Sequence, residues 1–140
     1  MPRPRDYGLI YNWDGAPHAY SEYPQSMEDF LEKTYAPMVD TQVGAHFWCT
    51  GTHHVQWKSD DLEMVGDMHG RKYENTRAYR FNENLRAMLE RGEDPQEEAI
   101  KRGHELGMHV YASIRMNDNH FFGAKPEDMP KMDTSRLTQM

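Results

Sequence analysis

Asp94-Pro95-Gln96-Glu97-Glu98-Ala99-Ile100-Lys101-Arg102-Gly103-His104-Glu105-Leu106-Gly107 passes without a break into Met108-His109-Val110-Tyr111-Ala112-Ser113-Ile114. Asp94 stands where a helix cap is needed. Pro95 takes the first helical position, where a missing N–H costs nothing, and Glu97 has the spacing of a reciprocal capping residue. Ala99, Ile100, Gly103 and Leu106 supply an apolar helical face, and Gly107 supplies the left-handed residue that ends it. A strand then starts at Met108 or His109. A helix joined to a strand by almost no loop is typical of repeated β/α units.

Two more strand-like segments lie upstream. The first, about Gly8 to Trp13, lacks clean alternation and reads as a strand buried on both faces. Ser26 then has the character of an N-cap, with Asp29 three residues on as a variant capping box. The helix it opens runs to Tyr35 or Ala36, where Pro37 stops it, and carries Met27, Phe30, Leu31 and Tyr35 on one face. The second strand spans about Val43 to Trp48. Cys49 to Phe81 shows no clear periodicity and reads as a loop of roughly thirty residues, a length that usually means function or disorder. A short helix is expected over Glu83 to Arg91, with Leu85, Met88 and Leu89 as its stripe. The order β-α-β-(α)α-β, with helices of crossover length, predicts parallel strands and right-handed crossovers. The fold class is therefore α/β. A closed eight-unit barrel takes about 250 residues. Three strands cannot close one, so residues 1–140 read as a single domain that is either the amino-terminal part of a (β/α)8 TIM barrel or a small open α/β sheet.

Composition narrows the function classes. The net charge is -7 and Lys and Arg do not cluster beyond Arg3/Arg5 and Arg71-Lys72, so neither nucleic acid nor an anionic membrane is an expected partner. The charged fraction of 28% is ordinary, which argues against disorder despite a mean hydropathy of -0.98. A single cysteine, Cys49, cannot form an intrachain disulfide. Together with the absence of an apolar run of signal-peptide or membrane-spanning length, it leads to the expectation of a cytoplasmic protein.

Polar and aromatic residues gather at the ends of all three strands, where parallel α/β folds place their functional groups. At the first end, Asn12-Trp13-Asp14-Gly15, Asp14 could bind a hydroxyl and Trp13 offer a ring to the C–H face of a sugar; the plain alternative is an Asx turn at Asp14-Gly15. At the second, Trp48 or His46 could face a ligand, whereas Phe47 is better read as core. Cys49 has no base beside it and reads as structural. At the third, Arg115, Asn117 and Asp118 crowd together, an arrangement that is costly unless the groups are paired or meet solvent or ligand. Arg115 could hold a carboxylate, or form a salt bridge to Asp14 or Asp118 that ties the loops. The eight histidines show no ligand spacing: His104 to His109 misses the zinc-protease pattern by one residue and is interrupted by Gly107. No metal and no cofactor is expected.

Ile10-Tyr11-Asn12-Trp13-Asp14-Gly15, Thr41-Gln42-Val43 with Phe47-Trp48-Cys49-Thr50-Gly51, and Ser113-Ile114-Arg115-Met116-Asn117-Asp118 with His120 together give a resemblance. So does Arg91-Gly92-Glu93-Asp94-Pro95. At these residues the chain resembles a group of bacterial proteins described as glycosyl hydrolase-like, akin to family-ten glycosylhydrolases. The Arg-Met-Asn-Asp stretch is its most specific part. The resemblance implies a (β/α)8 barrel that acts on or binds carbohydrate, with this chain holding the first three units and a fourth, acid-ended strand lying beyond it. Asp14 and Asp118 are then the carboxylates offered to a glycosidase-type site, in supporting or substrate-binding roles. Asn12, Trp13, Trp48, Arg115, Asn117 and His120 would line the sugar subsites. The three units alone are expected to be inactive and prone to self-association through exposed sheet edges. The alternative is a small, non-catalytic carbohydrate- or partner-binding α/β module.

Overall fold

A computed structural model describes residues 6–13, 19–51, 54–67, 73, 75–114, 123, 125 and 127. Three strands, β1 (Leu9–Trp13), β2 (Val43–Gly51) and β3 (His109–Ile114), alternate with helices α1 (Met27–Tyr35), α2 (Thr76–Glu90) and α3 (Pro95–Glu105). The strands form one parallel sheet in the order β1-β2-β3.

The termini of the helices follow from their capping residues. Ser26 Oγ accepts the backbone N–H of Asp29 at 3.1 Å. The reciprocal half of the expected box is replaced: the Asp29 carboxylate turns to the preceding loop and accepts from Ser21 Oγ and Gln25 Nε2. Asp94 caps α3 by accepting from the N–H groups of Gln96 and Glu97 at 2.8 and 3.3 Å. Glu97 itself pairs with Lys101 one turn on. At the other end of α3, Gly107 is left-handed (φ 78°). The N–H of Met108 bonds to Gly103 O and that of Gly107 to His104 O, the double closure that satisfies a helix end and delivers the chain directly into β3. Gly92 ends α2 in the same way, with Glu93 bonded to Met88 and Gly92 to Leu89.

Alternation decides which face each strand residue takes. Tyr11 and Trp13 of β1, His46 and Trp48 of β2 and Val110 of β3 share one face by register. That face joins the core built from Phe30, Leu31 and Tyr35 of α1, Phe81, Leu85 and Met88 of α2, and Ala99 of α3. Helices α1 and α3 lie side by side there: the Tyr35 hydroxyl donates to Ala99 O, and Arg102 Nη2 reaches the Glu28 carboxylate at 2.8 Å. Gly103 lets α3 sit close on the sheet, since a Cβ there would lie 2.3 Å from Val110 Cγ2 and 2.7 Å from the Tyr35 hydroxyl.

Four expectations need correction. Among the described residues β1 is an edge strand rather than one buried on both faces, and Leu9 and Ile10 are more than half exposed. β2 extends to Gly51. Helix α2 begins at Thr76, capped by Asn75, instead of at Glu83. The polar residues about its expected start are buried and bonded: Asn84 accepts from Gln25 N and donates to Glu22 O, and Glu83 accepts from the Tyr73 hydroxyl. In α3, Ile100 and Leu106 are exposed, and only Ala99 and Gly103 of the expected stripe are covered.

Candidate functional site

Parallel pairing brings the C-terminal ends of the three strands to one edge of the sheet. Trp13, Trp48 and Ala112 stand level, and β2 and β3 continue to the Gly51–Ile114 pair. No residue of the three strands is acidic. Asp14, Arg115, Asn117, Asp118 and His120 lie outside the described residues. Asn12, Trp13 and Trp48 are described, and they part company.

Trp13 and Trp48 turn toward the helices. Their rings meet edge to face at 5.0 Å, and Trp48 packs on Phe30 at 6.0 Å with only 3% of its surface exposed. Between them sits His46, fully buried, stacked on Trp13 and edge-on to Tyr11, Tyr35 and Trp48. The Tyr35 hydroxyl gives its proton to Ala99 O, so the 3.4 Å contact to His46 Nδ1 requires a proton on that nitrogen. His46 Nε2 has no hydrogen-bond partner among the described residues. Burial without a charge partner holds the ring neutral and lowers its pKa to about 4. These aromatic residues form a core cluster, and Trp48 presents no ring surface to a ligand here. The reason is parity: positions 46 and 48 share the helix-covered face of β2.

Asn12 takes the other face, in line with its register partners Phe47 and then Tyr111. Phe47 and Tyr111 stack at 5.0 Å with 30° between their planes. Tyr7 closes on them from the side, edge-on to Tyr111 at 6.0 Å and to His109 at 5.3 Å, and the Tyr7 and Tyr111 hydroxyls are hydrogen-bonded to each other. Sequence reasoning assigned Phe47 to the core and overlooked Tyr7, His109 and Tyr111. Strict i, i+2 counting from His109 and Ala45 groups His109, Tyr111 and Phe47, whereas Tyr7 precedes β1 and joins them only through tertiary contact. The row offers an amide and two stacked rings, a surface suited to a ligand with apolar C–H faces and hydroxyls.

The chain leaving β2 folds back against the strand end. Gly51 bridges to Val55 and Val55 to Met64; Val55 N–H bonds to Glu63 O and Val65 N–H to Val55 O. Gln56 Nε2 donates to Cys49 O at 3.4 Å, and His54, Val55 and Gln56 are all buried. A Cβ at Gly51 would lie 2.5 Å from His54 O, so that position admits only glycine without movement. Cys49 is buried and its thiol approaches Gly51 O at 3.7 Å. Among the described residues, no group of three or more His, Cys, Asp or Glu is arranged to hold a metal, and no helix is long and apolar enough to cross a membrane.

Comparison with protein-family models found no match to this chain, and comparison with curated proteins found none either.

Proposed function

We propose that this chain supplies the first three β/α units of a (β/α)8 barrel that acts on or binds carbohydrate, in the manner of a glycoside hydrolase. The observation that carries the reading is the sequential parallel order β1-β2-β3 with the helical core on one face. A doubly wound sheet reverses its strand order and takes helices on both faces, whereas a barrel wall keeps sequential order and helices outside. In that reading the face bearing Asn12, Phe47 and Tyr111 is the inner wall, and the outer edges of β1 and β3, unpaired among the described residues, are where neighbouring strands pair.

The site then lies above the level of Trp13, Trp48 and Ala112, at the ends of the strands that precede Asp14 and Asp118 in sequence. Glycosidases use two carboxyl groups about the scissile bond. Asp14 and Asp118 are assigned supporting or substrate-binding roles, and Arg115, Asn117 and His120 contacts to hydroxyls or a carboxylate. Asn12 stays a subsite candidate. Trp48 keeps a core role, and Trp13, stacked on His46, braces the first strand end.

Turnover of aryl glycosides by the protein at its full natural length tests the reading. The expected result is activity that falls about ten- to a hundredfold in Asp14→Asn or Asp118→Asn, the loss of a charged hydrogen bond to substrate. Glycan binding without turnover, lost in Phe47→Ala, would favour the non-catalytic module, whose support is the Phe47–Tyr111 stack. Neither turnover nor glycan binding would end both.

A further inference from the structure

Two connections follow the C-terminal ends of neighbouring strands, one from β1 to α1 and one from β2 to α3, and the second carries α2. Residues 19–25 of the first and helix α2 of the second meet through polar groups withdrawn from water. Asn84 of α2 is only 1% exposed. Its Oδ1 accepts the backbone N–H of Gln25 at 2.9 Å, and its Nδ2 donates to the backbone carbonyl of Glu22 at 3.1 Å. One side-chain amide thus satisfies a donor and an acceptor of the other connection, a pairing that a carboxylate, with no donor, cannot supply.

Gln25 carries the joint onward. Its Nε2 donates to Ala19 O at 2.8 Å and to Asp29 Oδ2 at 2.7 Å, and its Oε1 accepts the N–H of Ser21 at 3.2 Å. Ser21 Oγ donates to the same Asp29 oxygen. The stretch is therefore bonded to itself, to the first turn of α1 and to Asn84. Tyr20 also packs on Phe81 at 4.9 Å and Tyr23 on Tyr79 at 5.6 Å, and Arg80 meets Glu22 at 2.9 Å. Apolar burial has little direction, and an exposed ion pair contributes little. The two buried bonds of Asn84 are directional, and they fix where the stretch sits on the helix. Asn82 supplies a contrast on the same helix. It is also buried, yet it lies against Gly66, and its Oδ1 has no hydrogen-bond partner among the described residues.

We propose that Asn84 is a positioning residue for the strand-end site: it locks the β1–α1 connection onto α2, so that the connections following β1 and β2 form one wall of that site. What the wall faces rests on the barrel reading; the lock itself rests on the bonds of Asn84. A wall ordered before the ligand arrives spares binding the cost of ordering it.

The test is amide hydrogen exchange of the whole chain, with and without Asn84→Ala, read against the Met108 amide, whose bond is to Gly103 O. Exchange at Gln25 and Ser21 should speed up about tenfold relative to Met108, the effect of losing a buried hydrogen bond. Asn82→Ala, a buried truncation on the same helix, should leave that ratio unchanged. If Asn84→Ala fails to fold, the parent chain decides: the Gln25 and Ser21 amides should share one opening free energy as denaturant rises. In the aryl glycoside assay at full natural length, Asn84→Ala should raise KM about tenfold and leave kcat within about twofold, because the wall must then be ordered on binding. An unchanged exchange ratio, an equal rise in Asn82→Ala, two separate openings in the parent, or an unchanged KM despite faster exchange would each overturn the proposal. A parent protein without turnover would end the enzymatic reading, and the exchange result would still decide the lock.

Discussion

His46 shows how a single buried ring becomes a pH dependence. Its neutral state is enforced by Tyr11, Trp13, Tyr35 and Trp48 around it, and its pKa is lowered from 6.5 to about 4 by loss of solvent. Between those two values the unfolded chain takes up a proton that the folded chain refuses. Stability therefore falls as the pH drops from about 6.5 toward 4 and is not lost further through this group below that. The whole effect is at most about 3 kcal/mol. Urea unfolding at pH 7 and pH 4.5 should show the parent chain losing about 2 kcal/mol more than His46→Leu over that interval. Equal losses would mean that the ring is not the titrating group. The identity of His46 as a core residue was not legible in a strand where Ala45-His46-Phe47-Trp48 offers two apolar choices of face.

The helices behave as separate lessons in local and distant control. The cap of α3 was legible because Asp94, Pro95 and Gly107 act on their own backbone neighbours. Asp94→Ala should cost about 1 kcal/mol in the unfolding midpoint, through the lost bonds to Gln96 and Glu97. The start of α2 was not legible. Glu83 and Asn84 have polar side chains that locally favour loop or solvent, and their burial depends on Gln25, Glu22 and Tyr73, which lie far along the chain or across a turn. The contact between α3 and β3 rests on Gly103. Gly103→Ala gains helix propensity, worth up to about 1 kcal/mol. It also drives a methyl into the stiff side chain of Val110 and the anchored hydroxyl of Tyr35. Overpacking of this kind costs about 1–3 kcal/mol, so the net effect on the urea midpoint should be destabilising. A stabilised variant would show that α3 can lift off the sheet at little cost.

Across the molecule, the sheet is covered by helices on one face and ends in two strands whose outer edges pair with nothing among the described residues. Leu9 and Ile10 on the β1 edge and Ile114 at the end of β3 are the exposed apolar groups that follow from this. Exposed edges of this composition template pairing with another chain. Sedimentation velocity at rising concentration should show association of these 140 residues, and Ile10→Lys should shift it toward monomer. Association unchanged in that variant would place the contact elsewhere, with the Ile100 and Leu106 surface of α3 the next to examine.

Capping, glycine stops and the alternation of helix and strand were written in residues that act within a few positions of themselves. For that reason the α/β class, the parallel strands, the Ser26 and Asp94 caps, the limits of α1 and α3 and the start of β3 could be read directly. The face taken by Trp48 as against Phe47, the hidden first half of α2, and the folding of His54-Val55-Gln56 onto the end of β2 depend on contacts between distant segments. Those contacts exist only when the sheet and helices are packed, because a side chain's burial depends on register and on what lies across from it. Local pattern carries no record of either.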